Sequence, residues 1–169
     1  MIKHFTTPQS WLAISTLMYF MINGAQVFET CVFIPKWTAS PPESFQLFKG
    51  KYGIDLKTFW IWGHSIHEVT FILAIIFCWK ITLLKHWLIV LFLAHFAVRA
   101  WTLIYFAPHI IEFQKIANGQ GEMPDLLTKA RLWRNLNYLR VGIFIAISLA
   151  QTILCMTCYL RWFYQRIAV

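Results

Sequence analysis

Residues 59–107 read FWIWGHSIHEVTFILAIIFCW-KITLLK-HWLIVLFLAHFAVRAWTLIYFA, and this stretch decides the fold. Two apolar runs, about 59–79 and 86–107, flank a very short turn, Lys80 to Lys85. A helix needs about 20 mostly apolar residues to cross a bilayer, and a turn this short makes its two helices antiparallel neighbours. Two further runs of spanning length lie on either side, about 11–34 and about 125–160. Pro8 precedes the first, Pro35 is expected to end it, and Pro108 to close the third run, with His109 to Glu112 continuing that helix beyond it. Asp125, after Pro124, is a candidate N-cap for a fourth helix that starts outside the hydrocarbon and runs in without a break. The expected fold is all-α: one antiparallel four-helix transmembrane bundle filling residues 1–169.

Composition supports this. The chain is 59% hydrophobic and 13% charged, with a mean hydropathy of +0.56. Soluble domains average about 45–50% apolar and about 25% charged. Many of its 9 Trp and 15 Phe flank the apolar runs, as interfacial belts do. The formal charge of +8 sits mostly between the runs. It therefore points to orientation and anionic lipid head groups and argues against a nucleic-acid partner. Met1 to Ser10 lacks a cleavage pattern, so the first run reads as a retained helix. The flanks that share one side carry Lys3, Lys80, Lys85, Arg161 and Arg166 without an acid. The longer connections, Pro35 to Thr58 and Pro108 to Asn137, mix their bases with Glu43, Asp55, Glu112, Glu122 and Asp125. Both termini are thus expected in the cytoplasm. A short surface helix is expected near Pro42 to Lys51, with Phe45 and Phe48 dipping into the head groups.

The polar residues inside the runs carry the functional argument. Glu29 lies near the end of the first helix, His64, His67 and Glu68 near the start of the second, Arg99 late in the third, and Asn137 and Arg140 early in the fourth. Because helices alternate in direction, all fall at one membrane face. Intramembrane ionisable residues are costly and mark functional sites by default. Asn23, Gln26 and Glu29 form a stripe that must face other helices or a cavity. His64, His67 and Glu68 share a helix face and, with His95, offer metal-ligand chemistry. His95 and Arg99 share a face, as do Trp133, Asn137 and Arg140. A buried arginine needs a carboxylate, here Glu29 or Glu68, or an anionic ligand. Cys155 and Cys158 have redox spacing, as in membrane quinone-linked thiol oxidoreductases, but lie at the opposite face, where packing is the simpler role.

The order Glu29, Pro35, then Trp133-x-x-x-Asn137-x-x-Arg140, with four helices and these loop lengths, resembles the anthrone-oxygenase-like family of small membrane proteins. That resemblance implies oxidation of a lipophilic aromatic without an obvious cofactor, or binding of one, and it carries over Glu29, Trp133, Asn137 and Arg140. Residue chemistry is compatible. Glu29 or His67 serves as base, Arg99 and Arg140 hold the anion, and Asn23, Gln26, His64, Trp133 and Asn137 bind substrate. Two other readings stand beside it. One is a haem or metal redox protein using His64, His67, Glu68 and His95. The other is a non-catalytic binder of lipid or protein with an inert, fully paired polar network. A homo-oligomer is compatible with all three.

Overall fold

The computed structural model describes the backbone of residues 7–167 and the side chains of residues 7–161 and 163. Lys3 and the Arg166 side chain, two of the charges used for orientation, lie outside the described residues, as does the chain before Thr7. The order is α1 (Thr7–Phe28), a π-helical turn (Glu29–Phe33), α2 (Ile34–Trp37), a 3-10 helix (Glu43–Phe48), α3 (Lys57–Phe77), α4 (Thr82–Trp101), a second π-helical turn (Thr102–Phe106), α5 (Ala107–Ala117) and α6 (Leu126–Ile167). No strand occurs among the described residues. Four continuous helical stretches are long and apolar enough to cross a membrane: Thr7–Trp37, Lys57–Phe77, Thr82–Ala117 and Leu126–Arg161. The shortest has 21 residues, about 30 Å of helix. This is the architecture of a multi-pass membrane protein.

Neighbouring spans pair in opposite senses. Ser15 meets Gln151, Asn23 meets Ser148 and Thr30 meets Asn137, so numbers fall along α6 as they rise along α1. Between α3 and α4, Glu68 meets Arg99 and Phe71 meets Phe92. The α1–α3 contact is close at Gly63, where an added Cβ would stand 2.9 Å from the Ile22 side chain. Outward faces carry Leu17, Met21, Leu103 and Ile104, as lipid requires.

Pro35 does not end its helix, and the helix that holds Pro108 continues through it, as expected for His109 to Glu112. Each proline is taken up by a π-helical turn that starts six residues earlier, at Glu29 and at Thr102. In these turns the Ile34 amide bonds Glu29 O and the Ala107 amide bonds Thr102 O. A proline lacks its amide and clashes with the carbonyl one turn back. Widening the preceding turn relieves the clash and lets the helix continue. At α6, Asp125 takes part through its backbone: its carbonyl accepts from the Lys129 amide, at a φ of 55° that aspartate tolerates.

The core has two parts. A central cluster of Leu12, Tyr19, Phe71, Leu88, Val98 and Phe144 fills the bundle. A second cluster of Ile34, Trp37, Phe45, Phe106, Phe113 and Trp133 caps the end that carries the long connections. Phe45 therefore does not reach the head groups. It is fully buried, 5.3 Å from Phe113 and 6.0 Å from Trp37 between ring centres. The 3-10 helix folds inward as a lid on the bundle.

Candidate functional site

A half-open cavity of about 330 Å³ lies beneath that cap. Of the residues singled out in the sequence, Gln26, Glu29, His64, Arg99, Trp133 and Arg140 line it. Its other walls are mostly apolar and aromatic, with Phe33, Trp37, Trp60, Phe106 and Phe144 among them, and Asp55, Lys57, Thr102 and Gln114 add further polar groups. Asn23, His67, Glu68, His95 and Asn137 do not line the cavity; they stand around or below it.

The π-helical turns place two polar groups in the wall, Glu29 at the first position of one and Thr102 at the first position of the other. Glu29 shares the cavity wall with Trp60 and Arg140. Arg140 rises from α6. One of its amino groups donates to Asn137 Oδ1, another to Thr102 Oγ1 at 3.5 Å, and its guanidinium lies 4.5 Å over the Phe106 ring. Its Nε is buried without a partner. Asn137 is itself fixed by donating to Thr30 Oγ1 at 3.0 Å, and the Trp133 indole donates to Phe106 O at 3.2 Å.

The two arginines are not equivalent. Arg99 pairs with Glu68, Nε to Oε1 at 2.9 Å, and His95 Nε2 stands 4.0 Å from the same oxygen. Of these, Arg99–Glu68 is the ion pair, His95 being charged only if protonated; among the described residues Glu29 and Arg140 make none. Glu29 and Arg140 thus face one cavity, near enough to influence each other, without touching.

The histidines do not gather as metal ligands. Among the described residues, no three of His, Cys, Asp and Glu converge on a point that holds an ion. His64 stacks on Trp60, 5.3 Å between ring centres, while His67 turns into the core against Tyr19 at 4.3 Å. His95 Nδ1 is hydrogen-bonded to the Tyr19 hydroxyl at 2.9 Å. The His67 and His95 rings meet edge to face at 4.9 Å, which leaves no room for a haem between them. His64, His67 and Glu68 share a helical face, but each meets a different neighbour: Trp60, Tyr19 and Arg99. His67, expected as a base, is fully buried and away from the cavity.

Tyr19, Trp60, Thr102 and Phe106 were not singled out in the sequence. Tyr19 continues the stripe of Asn23 and Gln26 at helical spacing, a signal that was present. Trp60, Thr102 and Phe106 carry no such mark, because they look like ordinary span residues. At the opposite end, an apolar cavity of about 270 Å³ lies beside Cys155 and Cys158, whose thiols are free. No family model, no curated protein and no solved structure matches the chain.

Proposed function

We propose that this integral membrane protein binds a small lipophilic aromatic with an acidic C–H or O–H group in the capped cavity and oxidises it. The observation that carries this reading is the separation of Glu29 and Arg140 across a cavity with aromatic walls. A carboxylate and a guanidinium that do not neutralise each other stand ready as base and anion holder. Glu29 takes the proton, Arg140 holds the resulting oxyanion, and Trp37, Phe106 and Phe144 supply an apolar slot. Arg99 is committed to Glu68 and plays a lesser part. With an anthrone as substrate and dioxygen as oxidant, the methylene loses two hydrogens. One oxygen atom becomes the new carbonyl and the other leaves as water. No residue here is needed as a redox centre, since the carbanion itself is the reductant.

That Arg140 has no carboxylate in ion-pair contact favours this reading over an inert, fully paired network. The short flanks Lys80, Lys85 and Arg161 support a cytoplasmic placement for the terminal end, which puts the cavity at the exported side. The test is turnover of an anthrone by the purified protein in detergent. Glu29→Gln and Arg140→Met are each expected to lower the rate by about a hundredfold or more, with the helical spectrum unchanged. Equal turnover by folded Glu29→Gln and Arg140→Met proteins excludes these roles.

A further inference from the structure

The buried face of α1 is polar. Gln9, Ser15, Thr16, Tyr19, Asn23 and Gln26 are six of its eight buried residues. Their partners lie mostly on α4 and α6 and form successive levels. Gln151 Nε2 donates to Ser15 Oγ at 2.9 Å, the Tyr19 hydroxyl meets His95 Nδ1 at 2.9 Å, and Asn23 Nδ2 donates to Ser148 Oγ at 2.8 Å. Hydrogen bonding between helices explains those pairs. It does not explain what they leave over. Gln151 Oε1, both ring nitrogens of His67, His95 Nε2, Asn23 Oδ1 and Gln26 Oε1 are buried without a partner. All belong to side chains at least nine-tenths buried. A polar atom left unpaired in a membrane interior is strongly unfavourable. Here the unpaired atoms recur at every level of one seam. Levels one helical turn apart are separated by about 5.4 Å, the distance that one water spans with two hydrogen bonds of about 2.8 Å.

We propose that this seam is a hydrated proton path. It descends from Gln26 at the cavity, through Asn23 and Ser148, to the station formed by Tyr19, His67 and His95, and on to Ser15 and Gln151. Leu12, fully buried one turn below Ser15, is the apolar restriction at its far end. Hydroxyls, waters and neutral imidazoles each accept a proton on one side and release one on the other. No bond to a substrate is made, and the net event is transfer of a proton down an imposed potential. The charged and titratable groups around the station are His64 and Glu68 from α3, Arg99 from α4 and Arg140 from α6, while Phe144 packs against His95. The proposal does not depend on chemistry in the cavity.

The test is proton flux into phosphatidylcholine–phosphatidylglycerol vesicles that hold the full chain and a trapped pH-sensitive dye. A potassium diffusion potential is imposed with valinomycin. Wild-type vesicles are expected to acidify faster than protein-free ones. His95→Phe is expected to slow the protein-dependent flux about tenfold, the rate equivalent of one lost hydrogen-bonded step. Leu12→Ser is expected to raise it. Tyr19→Phe, which removes only a hydroxyl, replaces His95→Phe if that variant does not fold. Anthrone turnover is measured separately in detergent, so the two readings fail independently. Wild-type flux equal to that of protein-free vesicles overturns the path, as does wild-type flux in a folded His95→Phe or Tyr19→Phe protein.

Discussion

Asn137→Leu is the perturbation that most directly tests how the site is built. Asn137 is fully buried. It joins two spans through Thr30 and anchors Arg140 through its carbonyl oxygen. Leucine has similar bulk and makes neither bond. The bond to Thr30 is of a kind worth about 0.6 kcal/mol on average in membranes. The bond from the guanidinium is charge-assisted and worth about 1.5–3 kcal/mol. Together the loss is roughly 2–4 kcal/mol, which for a chain of this size lowers the melting midpoint by about 5–15 °C. Arg140 is then held only by Thr102 at 3.5 Å and by the Phe106 ring, and it swings out of register with Glu29. Tryptophan fluorescence melts in detergent read the stability. The rise in midpoint on adding a phenolate ligand reads the site. Thr30→Val separates the two effects, since it removes only the interhelical bond and is expected to lower the midpoint by about 2 °C with the ligand response intact. An Asn137→Leu protein that melts within about 1 °C of wild type and keeps its full ligand response would refute the reasoning.

Other outcomes follow from particular contacts. Glu68→Gln leaves Arg99 without its carboxylate, with the arginine side chain only 16% exposed. The variant is expected to lose roughly 1–3 kcal/mol, and the double variant Glu68→Gln/Arg99→Gln less than that, as a double-mutant cycle of melting midpoints would report. Pro35→Ala and Pro108→Ala remove the reason for the π-helical turns. Far-UV circular dichroism should stay constant while ligand affinity, measured by titration, weakens as Glu29 or Thr102 rotates away from the cavity. Phe45→Ala empties the centre of the cap at an expected cost of about 3–5 kcal/mol, and limited proteolysis should then cut residues 38–56 more readily.

Much of the fold was legible in the sequence. The short turn Lys80 to Lys85 and the apolar runs around it give the α3–α4 hairpin, and the boundaries shift by only a few residues. Pro35 departs from expectation because a proline inside a helix has two outcomes, termination or a widened turn. Which one occurs depends on whether packing on the far side makes continuation worthwhile. Here Trp37 and Phe113, beyond Pro35 and Pro108, bury themselves in the cap. Phe45 was misread for the same reason: a lone aromatic in a polar connection has the same local sequence whether it meets lipid or a second aromatic cluster. For the site, depth was readable and direction was not. Counting along each span puts Glu29, Arg99 and Arg140 at one face. Only tertiary contacts show that Glu68 takes Arg99 and leaves Arg140 beside the cavity.

That division argues against treating the polar residues as one network. Glu68 sits between Arg99 and His95, on the α3–α4 side, and satisfies the cation nearest to it. Were Arg99 unpaired, it would compete with Arg140 for Glu29 in the shared cavity and, under the proposed function, neutralise the carboxylate that acts as base. On that reading the Arg99–Glu68 pair matters without touching substrate, because it neutralises one of the two arginines that line the cavity. Glu29 and Thr102 stand at matching places, each opening a π-helical turn six residues before a proline, on two different spans. Thr102 contacts Arg140 and Glu29 faces it. The two widened turns thus frame one guanidinium from opposite walls. Under the proposed function, the two turns hold Glu29 and Thr102 beside the cation that would bind the anion.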